Sequence, residues 1–162
     1  MKATGEAVAV SEALEIVSRH REGTWQLQTP FFWKLAAEIL IATGEFILAE
    51  ELLREARQLA DATQQNWVKP ELYRLYAVLA EHGADPDGFA PEHWLNMSLM
   101  QARKHGEKYA ELCAARDLGE LYARRGERHA ARDLLEAVCE GFIGGSENPD
   151  LQQAKALLAE LA

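Results

Sequence analysis

Cysteine is scarce in this chain, and the shortage bears on the compartment in which the protein works. The 162 residues include two cysteines, Cys113 and Cys139. Two cysteines provide no disulfide framework of the kind on which small secreted proteins depend. We therefore expect buried free thiols and a cytoplasmic location.

Long apolar runs and flexible linkers are also missing. No run approaches the roughly 18 to 20 apolar residues that a helix needs to span a bilayer. The Ala-Val-Ala-Val stretch at 7–10 is too short, and its flanks too polar, for a signal peptide. No segment rich in proline, glycine or serine divides the chain. The sequence thus predicts no membrane segment and a single domain over residues 1–162.

Positive charge is in deficit over the whole chain. Its 17 Lys and Arg residues face 26 Asp and Glu residues, for a net charge of −9. Nucleic-acid binding requires a basic footprint, so we expect no nucleic-acid partner. Residues 103–132 depart from this balance, with eight basic and five acidic residues. This basic segment is either an ordinary solvated surface or a docking patch for an acidic partner.

The apolar pattern is helical throughout. Apolar residues recur at steps of three and four, and no stretch shows sustained alternation in steps of two. Helix ends are marked by Gly23, Gly44, Gly83, Gly106 and Gly126. Helix starts are marked by Pro30, Pro70, Pro91 and Pro149. These signals predict helices over residues 7–21, 30–43, 46–62, 70–82, 90–104, 107–125, 128–142 and 149–161.

Two stretches of the chain share one spacing of small and large residues. Aligning Ala49 with Ala131 also pairs Gly44 with Gly126. The same alignment pairs Trp33 with Ala115, Ala36 with Leu118, Ala37 with Gly119, Leu40 with Tyr122, Leu53 with Leu135 and Ala56 with Val138. A unit that recurs in this way is a helical hairpin, and neighbouring hairpins must stack because none buries its apolar face alone. The predicted hairpins are at about 30–62, 69–104 and 107–142, between a half-repeat at 7–21 and a capping helix at 149–161.

This spacing resembles the tetratricopeptide repeat, whose Leu-Gly-x-x-Tyr signature is present as Leu118, Gly119 and Tyr122. A closer resemblance covers roughly residues 66–161, through the segments 71–75, 102–106, 131–135 and 149–158. They are similar to the C-terminal repeat region of large bacterial signalling proteins, which also contain a P-loop ATPase module and a cyclase or transcriptional-activator domain. No P-loop motif occurs in this chain. The resemblance therefore implies an all-α, right-handed solenoid that binds proteins or regulates them and has no catalytic activity.

In arrays of this family the first helix of each hairpin lines a concave groove. The resemblance places seven candidate partner-binding residues there, namely Phe31, Lys34, Glu38, Tyr73, Arg116, Glu120 and Arg124. Tyrosine and arginine are favoured contact residues at interfaces. The alternative is that Lys34 with Glu38, and Arg116 with Glu120, are ordinary ion pairs one helical turn apart. Relatives that capture a peptide's terminal carboxylate use Lys and Asn, and the glutamates at 38 and 120 make such capture unexpected here.

The tryptophans are expected to divide between core and surface. Trp33, Trp67 and Trp94 are interpreted as wedges in the core or between hairpins. Trp25 stands between Thr24 and Gln26 in a predicted loop, which makes it the better candidate for an exposed contact.

Signals for catalysis and metal binding are missing. The spacings of His82, His93, His105 and Cys113 match neither His-Glu-x-x-His nor a paired Cys-x-x-Cys element. No nucleophile elbow and no dinucleotide-binding glycine loop is present. We expect no enzymatic activity, no cofactor and no bound metal.

Three functions remain open at this point. The favoured one is a non-catalytic adaptor that binds a protein or peptide through the groove or through the basic third hairpin. The second is a sensory module that holds a small ligand and controls a separately encoded ATPase, cyclase or transcription factor. The third is self-assembly, in which the basic segment of one copy docks on the acidic N-terminal half of another.

Overall fold

The computed structural model describes residues 2–22, 29–85, 87–142, 145 and 147–161, and over these residues it contains eight α-helices and no strand. The predicted helical content is confirmed, and fifteen of the sixteen predicted helix ends lie within one residue of those observed. The helices are α1 (Lys2–Glu22), α2 (Thr29–Ala42), α3 (Phe46–Ala62), α4 (Lys69–Glu81), α5 (Pro91–His105), α6 (Lys108–Arg124), α7 (Arg128–Gly141) and α8 (Pro149–Glu160).

The start of α1 is the exception. It lies at Lys2, five residues before the predicted start, since no proline interrupts residues 2–7. The predicted helix end at Gly23 and the predicted exposed contact at Trp25 both lie outside the described residues. None of the described helices combines the length and the apolar composition needed to cross a bilayer.

Short Gly-Glu turns join three pairs of consecutive helices. Gly126 adopts a left-handed conformation (φ +79°) and ends α6. Its N–H donates to the carbonyl of Ala123 at 3.0 Å, and the N–H of Glu127 donates to the carbonyl of Tyr122 at 2.9 Å. These two bonds satisfy carbonyl groups that the last helical turn leaves free. The same arrangement occurs at Gly44-Glu45 and Gly106-Glu107, so each pair of helices reverses sharply and packs together.

The small residues of the repeated spacing are where helices approach most closely. Ala37 and Ala49 are fully buried between α2 and α3. A Cβ atom added at Gly119 in α6 would lie 3.0 Å from Cγ and Cδ1 of Leu135 in α7, which is tighter than an ordinary contact. The predicted burial of these small positions is confirmed. The close packing of α6 on α7 therefore depends on the missing side chain at Gly119.

The helices follow one another in space in their order along the chain. Each α-helix packs on the next, from α1 through α8. In addition, α2 contacts α4, α4 contacts α6, and α6 contacts α8, whereas comparable contacts from α3 to α5 and from α5 to α7 are missing in the described residues. The helices α2, α4, α6 and α8 therefore share one side of the molecule, where they lie closer together. A single buried core runs from Ala13 in α1 to Leu151 in α8.

The last helix is held at its first turn. Asn148 precedes α8, and its Oδ1 accepts a hydrogen bond from the N–H of Leu151 at 3.0 Å. Leu151 and Ala154 are buried, and α8 packs against both α6 and α7. This cap and these apolar contacts hold α8 next to α6, on the side of the molecule that α2, α4, α6 and α8 share.

Candidate partner-binding groove

An open groove lies on the side that α2, α4, α6 and α8 share. One cavity in it has a volume of about 770 Å³. Side chains from all four helices line it, among them Lys34 and Glu38 from α2, Glu71 and Arg74 from α4, Tyr109 from α6 and Asp150 from α8. The alternate helices are thus the elements that position the side chains of this surface.

Arg74 occupies the centre of the groove. Its Nε donates to Oδ2 of Asp117 at 2.7 Å, and its NH1 group donates to the carboxylate of Glu71 at 3.1 Å. Burial by itself would lower the pKa of the guanidinium, but the carboxylates of Asp117 and Glu71 outweigh burial and raise it. Arg74 therefore stays charged and joins α4 to α6 across the floor of the groove.

A second ion pair lies towards α2. The Nζ atom of Lys34 lies 2.7 Å from the carboxylate of Glu38 and 3.8 Å from that of Glu71. The ion pair of Lys34 with Glu38, which was the alternative to a partner-binding role, is thus present. Because Glu71 also contacts Arg74, one glutamate connects the cations of two neighbouring helices.

Asp150 connects the groove to the last helix. The hydroxyl of Tyr109 donates to Oδ2 of Asp150 at 2.6 Å, and the guanidinium of Arg116 pairs with the same carboxylate. These contacts, with the hydrogen bond from Tyr109 the largest cause, lower the pKa of Asp150. Arg116 also pairs with Asp117 at 2.7 Å. The ion pair of Arg116 with Glu120, the other such alternative, is not formed, because Arg116 is engaged by these two aspartates.

Two aromatic rings on the lining of the groove are open to solvent. Trp67 is 49% exposed and Tyr109 is 52% exposed. Of the two positions expected for Trp67, in the core or between hairpins, the core position is wrong. The 3₁₀ turn Asn66–Val68 directs Val68 into the core and leaves Trp67 outside, with its ring centroid 5.8 Å from that of Phe31.

A smaller cavity continues the groove beyond Arg74. Its volume is about 210 Å³, and Ala77 and Glu81 from α4 and Glu120 and Arg124 from α6 lie along it. Arg124 forms an ion pair with Glu81. Burial is the main cause that raises the pKa of Glu120, and the neighbouring Asp117 raises it further. Arg74 lines both cavities, so the two form one continuous surface.

Most of the seven candidate residues lie along this surface. The structure places Lys34 and Glu38 in the larger cavity and Glu120 and Arg124 in the smaller one. Phe31 lies at the edge of the groove, against Trp67. Arg116 is on neither lining and forms an ion pair with Asp150, which borders the larger cavity.

Tyr73 is the candidate that the structure places elsewhere. It is 8% exposed and stacks on Trp94 of α5 with ring centroids 5.7 Å apart. The middle hairpin aligns with the other two when Leu72 is matched to Leu118 and Tyr76 to Tyr122. Tyr73 then matches Ala37 and Gly119, which are both buried, and this explains its position. In the same alignment Arg74 matches Glu38 and Glu120, and this signal in the sequence identifies Arg74 as a groove residue.

The thiol of Cys113 is buried, and the imidazoles of His82 and His93 stack on aromatic rings. Burial raises the pKa of the Cys113 thiol, so the thiol remains protonated near neutral pH. His82 stacks on Phe46 at 4.3 Å and His93 stacks on Phe89 at 4.1 Å, measured between ring centroids. Over the described ranges, no group of three or more His, Cys, Asp or Glu side chains is placed to hold a metal ion.

Comparisons with known proteins give no match. A scan against protein-family models, a search of curated proteins and a search of solved structures each found none.

Proposed function

We propose that this chain is a right-handed solenoid of tetratricopeptide-like hairpins, and that it acts as a non-catalytic adaptor that holds a peptide segment of a protein partner in its groove. The observation that carries the proposal is the groove itself, in which side chains of α2, α4, α6 and α8 meet and two half-exposed aromatic rings stand open to solvent. The burial of Ala37, Ala49 and Gly119 supports the repeat.

The shape of the groove favours a peptide over a small ligand. Sites for small molecules are usually enclosed and lined mainly by apolar groups. This groove is open, carries charged side chains from four helices, and continues past Arg74 into the smaller cavity. An extended peptide would contact all of these elements at once, whereas a small molecule would contact few of them. The proposed sensory role is therefore our second choice.

The basic segment 103–132 is a weaker candidate for docking than the groove. Six of its eight basic side chains form ion pairs with acidic residues of the same chain, namely Arg103, Lys108, Arg116, Arg124, Arg125 and Arg132. These pairs leave little free positive charge for an acidic partner or for a second copy. We also propose the cytoplasm as the location, with the free thiols Cys113 and Cys139 as support.

A matched pair of variants tests the proposed function. Ala110 and Ala130 are each the third residue of a helix, and Ala110 lines the groove whereas Ala130 is exposed on α7. Peptides selected on the wild-type chain from a random displayed library are expected to bind Ala110→Trp at least about ten-fold more weakly, which corresponds to about 1.4 kcal/mol of binding free energy. Their affinity for Ala130→Trp should stay within two-fold of wild type.

The readout is fluorescence anisotropy of the selected peptides, with melting temperatures to show that both variants fold. Failure to enrich any peptide would contradict the proposed function. Equal affinity for the two variants would show that the peptides bind outside the groove, with the same consequence.

A further inference from the structure

The cations of the groove are already neutralised from within the chain. Each of the four cationic side chains on the lining of the two cavities forms an ion pair with a carboxylate of a described residue. The pairs are Lys34 with Glu38, Arg74 with Asp117, Lys108 with Glu111 and Arg124 with Glu81. An anionic segment entering the groove would compete with these carboxylates for the same cations.

Two carboxylates on the same lining have no cation in direct contact over the described part of the chain. Glu107 borders the larger cavity and Glu120 the smaller one, and neither forms an ion pair with a described residue. Burial is the main cause that raises the pKa of Glu107, against the opposing effect of His105. Burial likewise raises the pKa of Glu120, against the opposing effects of Arg116, Arg124 and Arg74, so at both carboxylates burial outweighs the cations nearby. Both side chains therefore lie where a cation from outside would be favoured.

The spacing of these carboxylates suits an extended segment. Glu107 directly precedes α6 and Glu120 lies near its other end. At a rise of about 1.5 Å per residue, their separation of thirteen positions along the chain covers on the order of 20 Å. An extended peptide covers this distance with about six residues, at roughly 3.3 Å each.

The exposed aromatic rings add a second recognition element. Trp67 and Tyr109 border the same cavity as Glu107. The faces of such rings attract the ammonium and guanidinium groups of lysine and arginine. The hydroxyl of Tyr109 is fixed by its hydrogen bond to Asp150, so its ring is held in place.

From these observations we propose that the groove recognises an extended cationic peptide segment, with Lys or Arg side chains about six residues apart that reach Glu107 and Glu120. The inference deepens the proposed function and rests on it. The total charge of the lining agrees with this occupant, because seven acidic side chains face four basic ones there.

Two defined peptides and two double variants test the inference. The probes are fluorescein-labelled octapeptides that alternate serine with either lysine or glutamate, titrated by fluorescence anisotropy at physiological ionic strength. The groove variant is Glu107→Gln with Glu120→Gln. The control is Glu51→Gln with Glu140→Gln, which removes the same charge from exposed positions on α3 and α7.

The lysine peptide is expected to bind the wild-type chain and to bind the groove variant at least about ten-fold more weakly, since close charge pairs across an interface contribute this much or more. The control variant should remain within two-fold of wild type. Equal weakening of both variants would overturn the inference, because it would reveal general attraction to a chain of net charge −9. Absence of lysine-peptide binding, or tighter binding of the glutamate peptide, would also overturn it. If library peptides still bind in the Ala110-dependent manner, the proposed function survives and its cationic partner alone is wrong.

Discussion

Tyr73 and Arg74 are neighbours in the chain with opposite surroundings. Tyr73 is buried on Trp94, and Arg74 reaches across the groove to Asp117. Consecutive helical residues are rotated by about 100° around the axis, so an error of one residue in the register turns a groove position into a core position. Replacing Tyr73 with alanine would consequently test the stability of the fold rather than partner binding.

Gly119 is the residue at which packing is tightest. We expect Gly119→Leu to lower the free energy of unfolding by about 1–3 kcal/mol, because the new side chain would overlap Leu135 and force α6 and α7 apart. The matched control is Gly141→Leu at the exposed end of α7, where no atom lies within 4 Å of an added Cβ. Urea denaturation measures both. Equal stability of the two variants would contradict the packing described for Gly119.

The helices and their junctions were largely predictable from the sequence, for a local reason. A left-handed glycine ends a helix through bonds to residues within one turn of it, so Gly44, Gly83, Gly106 and Gly126 announce helix ends on their own. The ion pairs of the groove are not local. Arg74 and Asp117 are 43 residues apart, as are Glu81 and Arg124, and each partner belongs to a different hairpin.

Because these partners are distant in the sequence, the net charge of a segment did not predict how many of its basic side chains remain without an ion pair. Residues 103–132 form a basic block in the sequence, but acidic residues on other helices neutralise much of it. Trp67 shows a related difficulty. Its position in a 3₁₀ turn, rather than its residue type, decides that Val68 is buried and Trp67 is exposed.

The cap of α8 can be tested at the level of the element. We expect Asn148→Ala to reduce stability by about 1 kcal/mol, because the N–H of Leu151 loses its acceptor. Faster amide hydrogen exchange should be confined to α8. Asn148→Asp keeps an acceptor next to the helix N-terminus and should behave like the wild type. Faster exchange over the whole chain would mean that α8 unfolds together with the remaining helices.

At the scale of the whole molecule, carboxylates with lowered pKa values connect α5, α6 and α8. Burial alone would raise the pKa of Glu111, but hydrogen bonds from Lys108 and Arg103 outweigh it, and the pKa is lowered. Hydrogen bonds also lower the pKa of Asp150, mainly from Tyr109, and that of Glu92, mainly from Arg125. Such a group stabilises the fold above its unfolded pKa of about 4, and the contribution is lost as the pH falls through its lowered folded pKa.

Low pH should therefore destabilise the C-terminal helices, and the variant Glu111→Gln tests this expectation. At pH 7 this variant is expected to be less stable than wild type by about 1–2 kcal/mol, because two charged hydrogen bonds are lost and their donors are partly exposed. The difference should vanish below about pH 3, where the wild-type carboxylate is protonated as well. Urea denaturation across this pH range measures it, with Glu51→Gln as the neutral control. A difference that stays constant with pH would contradict the role of the carboxylate charge.

The position of Trp67 gives the chain an optical property of its own. Of the three tryptophans that the structure describes, Trp33 and Trp94 are shielded from water and Trp67 is not. Indole fluorescence moves to shorter wavelength when water leaves the ring. A ligand that covers Trp67 therefore shifts the fluorescence emission of the protein to shorter wavelength. Occupancy of the groove thereby becomes visible in the unlabelled molecule.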